Sequence, residues 1–533
     1  MGMKVFPELC TLAGGLKGWS HCFDRFKVKV VVPEGHELAD LINFGFLAPY
    51  LLVLEENEMT MEEAAAYARE KGFAEAAARY SGSVVFVYPT APGGWAEADE
   101  QLFIDLIAES RIHQYYRDGV ATTRDRFTKE WGDCFIRGAI FRTFLYGSGA
   151  SADYIATHLL KTLEGLYLWG PGEITPTAAV LEKLSVLPKP ARRDIPVVSV
   201  GNSEAVNAAL QAACDHVLVK ETADVPGDLW RFLYRFKRWC GKLETEDVMD
   251  EIGMVQEYGC AVVTTSPDNR GDDAGTETHR IGYVAHYNKG LLDNGPVPLL
   301  LAFHGGGDST FYLSHVSGWY RVANRHNFLL VAVENHLNST ATEVMELLSI
   351  LKQKYPIDEK RIYATGFSMG GCKSWDLYQE YPQVFAALAP MDATFEVGLN
   401  VYGQPAPCRI NRSTPVPLFY AGGEETPLPE LPFQAEKCWD RMRYVFEVNQ
   451  LKTPYCVAWE ERENWPEPIW GISGDHVEKI DDPSRGSVLT IHTFESKDGV
   501  TRTAFACVSG QGHECREHTC EHAWRFMERF TRE

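Results

Sequence analysis

Short apolar runs alternate with amphipathic stretches along most of the chain. Residues 298–303 and 328–333 are apolar runs of the length expected for buried strands. Residues 64–77 and 342–354 place apolar side chains at helical spacing, with polar side chains between them. Strands that are buried on both faces are typical of a parallel sheet covered by helices. The pattern therefore predicts an α/β fold with a mostly parallel sheet flanked by helices.

The same pattern occurs twice, in the same order. The apolar runs 298–303, 328–333 and 417–422 are matched by residues 49–54, 84–87 and 196–201. Near the end of the chain, Trp-Arg-Phe-Met-Glu-Arg-Phe at 524–530 is matched at five of seven positions by residues 230–236. Both segments are predicted to be closing helices. We interpret the chain as a tandem repeat of residues 1–245 and 255–533, with the polar residues 242–251 as the linker.

Length and charge limit the class of protein. The chain has 533 residues, which agrees with two domains, and its net charge of −22 argues against nucleic acid or an anionic membrane as a partner. We find neither a long apolar run for a membrane span nor a signal peptide. The 13 scattered cysteines favour thiols in a reducing compartment. We therefore expect a cytoplasmic protein, and its oligomeric state is not indicated.

A possible nucleophile lies in the C-terminal half. Residues 361–365 are predicted to be a strand and residues 372–380 a helix, and between them stands Gly366-Phe367-Ser368-Met369-Gly370. In this G-x-S-x-G pattern a tight turn exposes the serine hydroxyl above the sheet. Ser368 is therefore the predicted nucleophile. The backbone N–H of Met369, at the start of the helix, is a predicted oxyanion donor.

Further oxyanion donors are predicted one strand earlier. The run 298–303 leads directly into His304-Gly305-Gly306-Gly307. Glycines allow backbone N–H groups to approach a substrate oxygen without a side chain in the way. We therefore predict that Gly305 and Gly306 complete the oxyanion hole.

The general base and its acid should follow Ser368 along the chain, the base last. His513 lies in a glycine-flanked loop after the apolar run 504–508, and it is the predicted base. Glu425, which follows the run 417–421, is the preferred acid, with the adjacent Glu424 as an alternative. Asp392, after the apolar run 386–390, is the other alternative.

These motifs resemble those of the polyhydroxybutyrate-depolymerase-like and feruloyl-esterase-like α/β hydrolases. The resemblance covers about residues 280–533 and includes residues 355–363, the elbow at 366–371, the glycine run after His304, and Gly512-His513. It implies an α/β-hydrolase fold, which the repeat extends to tandem domains. It also implies hydrolysis of small-molecule carboxylic esters, of small acyl or hydroxycinnamoyl type, through an acyl-enzyme and without a cofactor. The family often has Asp where this chain has Glu425. The long segment 460–486 could form a lid or a substrate wall.

Other functions remain open on the sequence. A serine peptidase of the prolyl-oligopeptidase type shares the fold and triad, but no propeller repeats precede the hydrolase half. A binding protein that kept the fold is a third reading, against which Ser368 and His513 argue. A zinc site could be imagined in one late cluster, but His513 already serves the triad and no C-x₂-C pair is present, so no metal is predicted. The cluster consists of His513, Cys515, His518, Cys520 and His522.

The N-terminal half is predicted to be catalytically inactive. Glu55 stands at the oxyanion position and Gly149 at the nucleophile position, with Ser148 and Ser151 out of register. At the base position the repeat offers residues 219–220, with His216 displaced. Only Glu204 falls on the position of the acid. A carboxylate in an oxyanion hole would repel the charge that develops in the transition state.

Overall fold

Each half of the chain is built around its own β-sheet. The computed structural model describes residues 9–34, 49–80, 82–110, 116–117, 120–121, 136, 138, 140–167, 170–228, 235–239, 241–271, 273–306, 310, 312–334, 339–393 and 411–532. The chain divides into two units, Met1–Val248 (unit 1) and Met249–Glu533 (unit 2). Within the described ranges, no helix combines the length and the apolar character that a bilayer crossing needs.

Unit 1 begins with an antiparallel meander and continues as a parallel sheet. Its strands are β1 (Cys10–Leu12), β2 (Leu16–Cys22), β3 (Phe26–Pro33), β4 (Tyr50–Leu54), β5 (Ser83–Pro89), β6 (Tyr116–Arg117), β7 (Val120–Ala121), β8 (Thr143–Ser148), β9 (Leu163–Tyr167), β10 (Gly170–Ile174), β11 (Ala178–Glu182), β12 (Val197–Val200), β13 (Val217–Lys220), β14 (Phe236–Trp239) and β15 (Lys242–Thr245). Its α-helices are α1 (Met61–Glu70), α2 (Phe73–Tyr80), α3 (Glu100–Ser110), α4 (Ala150–Tyr154), α5 (Glu204–Ala213) and α6 (Val225–Asp228). Shorter helical turns cover Gly94–Ala96, Ile140–Arg142 and Ile155–Leu159.

Unit 2 has the same arrangement, with two additional strands, Ser487–Glu495 and His476–Asp482, at the second edge of its sheet. Its strands are β16 (Met254–Thr264), β17 (Thr278–Asn288), β18 (Val297–Phe303), β19 (Leu329–Val333), β20 (Ile357–Phe367), β21 (Ala387–Met391), β22 (Leu418–Gly423), β23 (His476–Asp482), β24 (Ser487–Glu495) and β25 (Thr501–Val508). Its α-helices are α7 (Trp319–His326), α8 (Ala341–Lys354), α9 (Met369–Glu380), α10 (Glu436–Val448) and α11 (Glu517–Met527). Shorter helical turns cover Leu291–Asn294, Tyr312–Val316 and Trp459–Asn464.

Eight neighbouring strands have the same order and direction in both sheets. Unit 1 has the order β2-β3-β5-β4-β8-β11-β12-β13, and unit 2 has β16-β17-β19-β18-β20-β21-β22-β25. In each series the first two pairings are antiparallel and the other five are parallel. The apolar runs that repeat in the sequence occupy equivalent strands: β4 and β18, β5 and β19, β12 and β22. The prediction of tandem α/β-hydrolase folds with mostly parallel sheets is confirmed.

The local sequence explains where helices α8 and α9 of unit 2 begin. Helix α8 starts after Thr340, whose hydroxyl accepts the N–H of Glu343 while the Glu343 carboxylate accepts the N–H of Thr340. This reciprocal cap satisfies two N–H groups that would otherwise lack partners. Helix α9 begins directly after Ser368 and buries Trp375 and Tyr378 against the sheet. The elbow is thus held between a buried strand and a buried helix.

The predicted closing helix is present in unit 2, but its counterpart is not a helix where it can be followed. In α11, Trp524 stacks on Phe328 with ring centroids 3.7 Å apart. Of the matched segment in unit 1, residues 230–234 lie outside the described residues, and Phe236 begins strand β14. The interpretation of residues 230–236 as a helix is therefore wrong at its end. Pairing of β14 with β15 overrides the helical spacing of the sequence.

The predicted linker is also corrected. Lys242–Thr245 forms β15, and the next residue, Glu246, is buried with 4% of its surface exposed. The Glu246 carboxylate pairs with the guanidinium of Arg142 and lies 2.8 Å from Nζ of Lys237, both of which are buried. Glu246 is therefore part of the interior of unit 1, whereas Lys242 and Thr245 on β15 are exposed. The charge of Glu246 pairs with buried cations, although its polar surroundings in the sequence suggest solvent exposure.

The long segment 460–486 forms sheet edge over its second half. β23 pairs with β24 in an antiparallel arrangement and becomes the last strand of the sheet of unit 2. In the first half, Trp465 and Trp470 are buried, and the Trp459 indole donates to the carbonyl of Pro432 at 3.2 Å. This segment therefore packs against the loop that follows β22, and β23 is not part of a lid.

Candidate active site

Ser368 stands at a strained turn at the end of β20. Its backbone has φ 54° and ψ −120°, in a region that residues with a Cβ rarely occupy. Its N–H donates to the carbonyl of Met391 at 3.0 Å, and its carbonyl accepts the N–H of Cys372 at 3.0 Å. The backbone on both sides therefore fixes the turn. The side chain is half-buried and remains accessible.

The two glycines of the elbow are required by close packing. A Cβ on Gly366 would lie 2.1 Å from the carbonyl oxygen of Gly370. A Cβ on Gly370 would lie 2.0 Å from the carbonyl oxygen of Phe303, at the end of β18. Neither position can carry a side chain without moving the backbone. The G-x-S-x-G pattern here therefore reflects the approach of helix α9 to strands β20 and β18.

The glycine run after β18 lies directly against the elbow. A Cβ on Gly305 would lie 3.4 Å from Cβ of Ser368, and one on Gly306 would lie 2.5 Å from Sδ of Met369. Because Met369 is the first residue of α9, its N–H has no acceptor within the helix. The predicted oxyanion residues are therefore brought next to the predicted nucleophile.

His513 reaches the elbow from the loop after β25. Its ring lies on that of Phe367, the neighbour of Ser368, with centroids 4.7 Å apart, and 21% of the side chain is exposed. Among the contacts of the described residues, no hydrogen bond joins the Ser368 hydroxyl to His513. In enzymes without substrate this bond is often long and tightens when substrate binds. The structure thus brings the predicted base next to the turn that carries the predicted nucleophile.

Two buried carboxyl groups face His513. Oε1 of Glu430 lies 3.1 Å from Nδ1 of His513, although the two atoms are not aligned as a hydrogen bond. Asp392 accepts the N–H of Gly423 at 2.8 Å and is hydrogen-bonded to Glu430. Asp392 is 2% exposed and Glu430 is 4% exposed. Both carboxyl groups can therefore orient the imidazole from the side away from Ser368.

Glu425, the predicted acid, lies outside this group. Its side chain and that of Glu424 are exposed, and among the described residues neither forms an ion pair or hydrogen bond with the imidazole. The backbone N–H of Glu425 donates to the carbonyl of Gln511 at 2.9 Å, and Glu424 accepts the N–H of Gly510 at 3.3 Å. Both residues therefore support the loop that carries His513. The carboxyl groups near His513 are thus Asp392, the alternative acid of the sequence analysis, and Glu430, and Glu425 is not among them.

Burial controls the charges in this group. It raises the pKa of Glu430 to about 8 and holds the pKa of Asp392 well above its ordinary value, with the neighbouring Glu430 adding to the effect on Asp392. Burial also lowers the pKa of His513, against an opposing effect of Asp392. Two carboxyl groups in contact share a proton, because ionising both would place two negative charges next to each other in a buried site. The pair therefore presents at most one negative charge to His513 near neutral pH.

The same three side chains are the group that could in principle hold a metal ion. Asp392, Glu430 and His513 each place one potential ligand atom within 4.8 Å of the others. A metal ion there would require both carboxyl groups to be ionised, whereas burial raises the pKa of each.

Strand pairing shows which residue of unit 1 takes the place of Ser368. Gly147 pairs with the last residue of β4, as Gly366 pairs with the last residue of β18. Two residues further on stand Gly149 and Ser368. Gly149 has φ 63° and ψ −125°, nearly the same backbone conformation as Ser368. The turn of the elbow is therefore present in unit 1 without a nucleophile.

The neighbours of this turn differ in chemistry. Glu55, directly after β4, takes the place of His304, and burial raises the pKa of its carboxyl group. Ser151 accepts the N–H of Ser148 at 3.0 Å and is buried, so its hydroxyl serves the turn. Glu204 begins helix α5 and is exposed. Within the described part of unit 1, none of these residues reproduces the group around His513.

Sequence reasoning missed Glu430 and, at the glycine run, Glu334 and Thr310. Glu430 lies seven residues beyond the end of β22, in the stretch Leu-Pro-Glu-Leu-Pro. Its carbonyl accepts the Tyr420 hydroxyl at 2.7 Å, which brings the loop back over the strand. A single carboxylate flanked on both sides by apolar residues and prolines was the available signal.

The fold and the elbow define an α/β hydrolase with serine at the nucleophile position. The chain is 28% identical over 135 residues to a bifunctional acetylxylan esterase/xylanase of Neocallimastix patriciarum, covering 24% of this chain and 19% of that protein. It is 25% identical over 261 residues to poly(3-hydroxyalkanoate) depolymerase C of Paucimonas lemoignei, covering 45% and 59%. The chain thus spans less than two thirds of each relative. The resemblance to hydrolases of the polyhydroxybutyrate-depolymerase and feruloyl-esterase type is confirmed.

Solved structures that carry esterase names are also similar to this chain, at low sequence identity and low TM-score. An acetyl xylan esterase from Aspergillus awamori has 12% identity and a TM-score of 0.30, covering 51% of this chain and 99% of that one. A ferulic acid esterase has 14% identity and a TM-score of 0.26, covering 36% and 87%. No family model matches the chain.

Proposed function

We propose that unit 2 is a serine esterase that hydrolyses carboxylic esters through an acyl-enzyme. The observation that carries the proposal is the strained turn of Ser368, with Gly305 against it on one side and His513 on Phe367 on the other. The proximity of these groups supports the proposed roles of Ser368 as nucleophile, His513 as base and the glycine N–H groups as oxyanion donors. The esterase names of the curated relatives support the same reaction class.

In the proposed reaction, Oγ of Ser368 attacks the carbonyl carbon of the ester while His513 accepts the hydroxyl proton. The N–H groups of Gly305, Gly306 and Met369 bind the oxyanion that forms. The tetrahedral intermediate then collapses, and His513 gives its proton to the departing alcohol. Water, deprotonated by His513, attacks the acyl-enzyme in the second half of the cycle and releases the carboxylic acid.

We assign the acid of the triad to the pair Asp392–Glu430 in place of Glu425. The support is the 3.1 Å approach of Glu430 to Nδ1 of His513 and the burial of both carboxyl groups. An acid in this position holds the tautomer of the base that leaves Nε2 facing the serine, and it stabilises the imidazolium that forms. In the proposal the pair acts as one unit with a shared proton.

The acyl group is proposed to be small or of the hydroxycinnamoyl type, and unit 1 is proposed to take no part in the chemistry. The support for the second statement is Gly149 in place of the nucleophile and Glu55 in place of His304. The cytoplasmic location also stays a proposal, which cell fractionation with an antibody against the chain tests.

Labelling with a fluorophosphonate tests the proposed function directly. We expect one phosphonyl group per chain, located on Ser368 by peptide mass spectrometry, and no label on Ser368→Ala. Ser148→Ala, at the elbow of unit 1, is the matched control and should label like the natural chain. A panel of p-nitrophenyl esters, methyl hydroxycinnamates and aminoacyl p-nitroanilides then separates esterase from peptidase. Label at another serine, or cleavage of the anilides alone, would contradict the proposal.

A further inference from the structure

The glycine run is anchored at two points by one buried carboxylate. Glu334 directly follows β19, the strand next to β18, and is 3% exposed. Its Oε2 lies 3.0 Å from Nε2 of His304, at the start of the run, although the two atoms are not aligned as a hydrogen bond. Its Oε1 accepts both the N–H and the hydroxyl of Thr310, each at 2.8 Å. Glu334 therefore joins the residue before Gly305 to one that lies four residues after Gly306.

The contacts of His304 show why this matters for the glycines. Nδ1 of His304 is 2.8 Å from the carbonyl oxygen of Gly305, so the ring contacts the peptide that links Gly305 to Gly306. Rotation of that peptide would turn both its carbonyl oxygen and the N–H of Gly306. Glu334 therefore lies beside one ring nitrogen of His304, and this carbonyl oxygen lies beside the other.

The backbone of Glu334 is itself fixed. Its N–H donates to the carbonyl of Gly282 in β17 at 2.9 Å, so the residue is held to the strand on the other side of β19. Thr310 is fully buried, and His304 is 6% exposed. A carboxylate in such a place is costly unless each of its oxygens has partners. Here Oε1 accepts two hydrogen bonds and Oε2 lies beside the His304 imidazole, and all of these groups belong to the segment around the proposed oxyanion hole.

Unit 1 has a different pair of residues at these positions. Val87 pairs with the last residue of β4 as Val333 pairs with the last residue of β18. Tyr88 therefore takes the place of Glu334, and Glu55 takes that of His304. The carboxylate that anchors the run in unit 2 is thus missing from the unit that has no nucleophile.

We propose that Glu334 is a positioning residue for the oxyanion hole, holding His304 and Thr310 so that the N–H groups of Gly305 and Gly306 point at the position of the oxyanion. The inference rests on the proposed function of Ser368. Glu334 does not touch the substrate, so its loss weakens binding of the transition state more than binding of the ester. It therefore lowers kcat and leaves KM nearly unchanged.

Glu334→Gln tests this inference, with Glu343→Gln as the matched control. Glu343 is also a buried carboxylate of unit 2, but it accepts the N–H of Ser266 and the amide of Asn269, away from the glycine run. For Glu334→Gln we expect kcat to fall by about 10–100-fold with KM changed by less than about threefold. Affinity for a trifluoromethyl ketone, whose hemiketal oxygen occupies the oxyanion hole, should fall in parallel. Glu343→Gln should lower the melting temperature and change neither value.

A second variant keeps the test valid if Glu334→Gln does not fold. Thr310→Val keeps the volume of the side chain and removes one of the two donors, so a smaller fall in kcat and in ketone affinity is expected. The inference is overturned if folded Glu334→Gln, or in its absence Thr310→Val, has the ketone affinity of the natural chain. Absence of fluorophosphonate label on Ser368 in the natural chain would instead contradict the proposed function.

Discussion

The elbows of unit 1 and unit 2 have nearly the same backbone conformation but different residues. Ser368 has φ 54° and ψ −120°, and Gly149 has φ 63° and ψ −125°. In both cases the N–H of the elbow residue donates to the carbonyl of the last residue of the next strand at 3.0 Å. The turn is therefore a property of the packed strands and helix, and it is kept where no nucleophile uses it.

A second pair of positions shows the same separation of backbone from side chain. Lys183 and Asp392 each directly follow the strand beside the elbow strand, and both have left-handed backbones, with φ 51° and 45°. Asp392 faces His513, whereas unit 1 has a lysine in its place. Catalysis by the proposed mechanism therefore depends on a few side chains placed on a scaffold that tolerates their replacement.

The largest expected effect concerns the nucleophile itself. Ser368→Ala should lower kcat by about 10⁴–10⁶-fold, because the nucleophile and base act as a unit. Adding Gly149→Ser to that variant should restore nothing, since Glu55 and Lys183 stand where His304 and Asp392 are needed. Ester hydrolysis and fluorophosphonate labelling of the double variant measure this. A label at position 149 would show that unit 1 retains a working site.

The next largest expected effect on kcat distinguishes the buried carboxyl pair, Asp392 and Glu430, from the exposed Glu424 and Glu425. Asp392→Asn and Glu430→Gln should each lower kcat by about 10²–10⁴-fold, because either change disrupts the carboxyl pair that is proposed to hold the tautomer of His513 and to stabilise its imidazolium. Glu425→Gln and Glu424→Gln should stay within about twofold of the natural chain, since their side chains are exposed. Steady-state kinetics on one ester decides the matter. A large loss for Glu425→Gln alone would return the acid to the position that the sequence indicated.

A smaller effect is expected on stability as a function of pH. The pKa of Glu430 is about 8 in the folded chain against an ordinary value of 4.5, so the folded state binds its proton more tightly than the unfolded state. The stability that this group contributes is complete below about pH 4.5 and is lost as the pH rises through 8. Glu430→Gln stays neutral, so relative to the natural chain it should gain ~1–3 kcal/mol between pH 5 and pH 9.

Melting temperatures of both proteins across this pH range measure the gain. Glu425→Gln provides the control, because its exposed side chain should give no such trend. A constant difference between Glu430→Gln and the natural chain from pH 5 to pH 9 would mean that the Glu430 carboxyl group is not protonated in the folded state.

The smallest effect concerns strain at the two elbows. A left-handed backbone is strained for any residue with a Cβ and costs glycine little. Ser368→Gly should therefore raise the free energy of unfolding by about 1 kcal/mol, whereas Ser368→Ala should leave it nearly unchanged. Gly149→Ala should lower it by about 1 kcal/mol, although a Cβ there would meet nothing within 4 Å. Equal stabilities for the glycine and alanine variants at position 368 would show that the turn carries no strain.

The sequence predicted those features that local patterns determine. The elbow could be predicted because Gly366 and Gly370 are required by contacts within a few residues and with one neighbouring strand. The position of His513 could be predicted because the base of this fold is expected to follow the last strand of the central series. The equivalent strands β4 and β18 were readable because a strand buried on both faces leaves a plain apolar run.

The carboxyl groups near His513 could be predicted only in part, because Asp392 was an alternative in the sequence analysis whereas Glu430 is brought there by the geometry of a loop. Glu425 is nearer the end of β22 in sequence, but the chain turns so that Glu430 comes back under His513 and Glu425 points outward. Spacing along the chain cannot distinguish these two outcomes. The helix expected at residues 230–236 failed for a similar reason, since pairing of Phe236 with Thr245 in the neighbouring strand overrode the local pattern.

The buried Glu246 determines where the gene can be divided. Its carboxylate is shared by Arg142 and Lys237, and it lies just past the end of β15. A fragment that ends at residue 245 removes the shared anion and leaves the buried Arg142 without it, while Lys237 keeps only the longer contact with Glu244. A fragment that ends at Val248 keeps all three charges together. We therefore expect a fragment of residues 1–248 to be more stable than one of residues 1–245, although the two differ by only three codons.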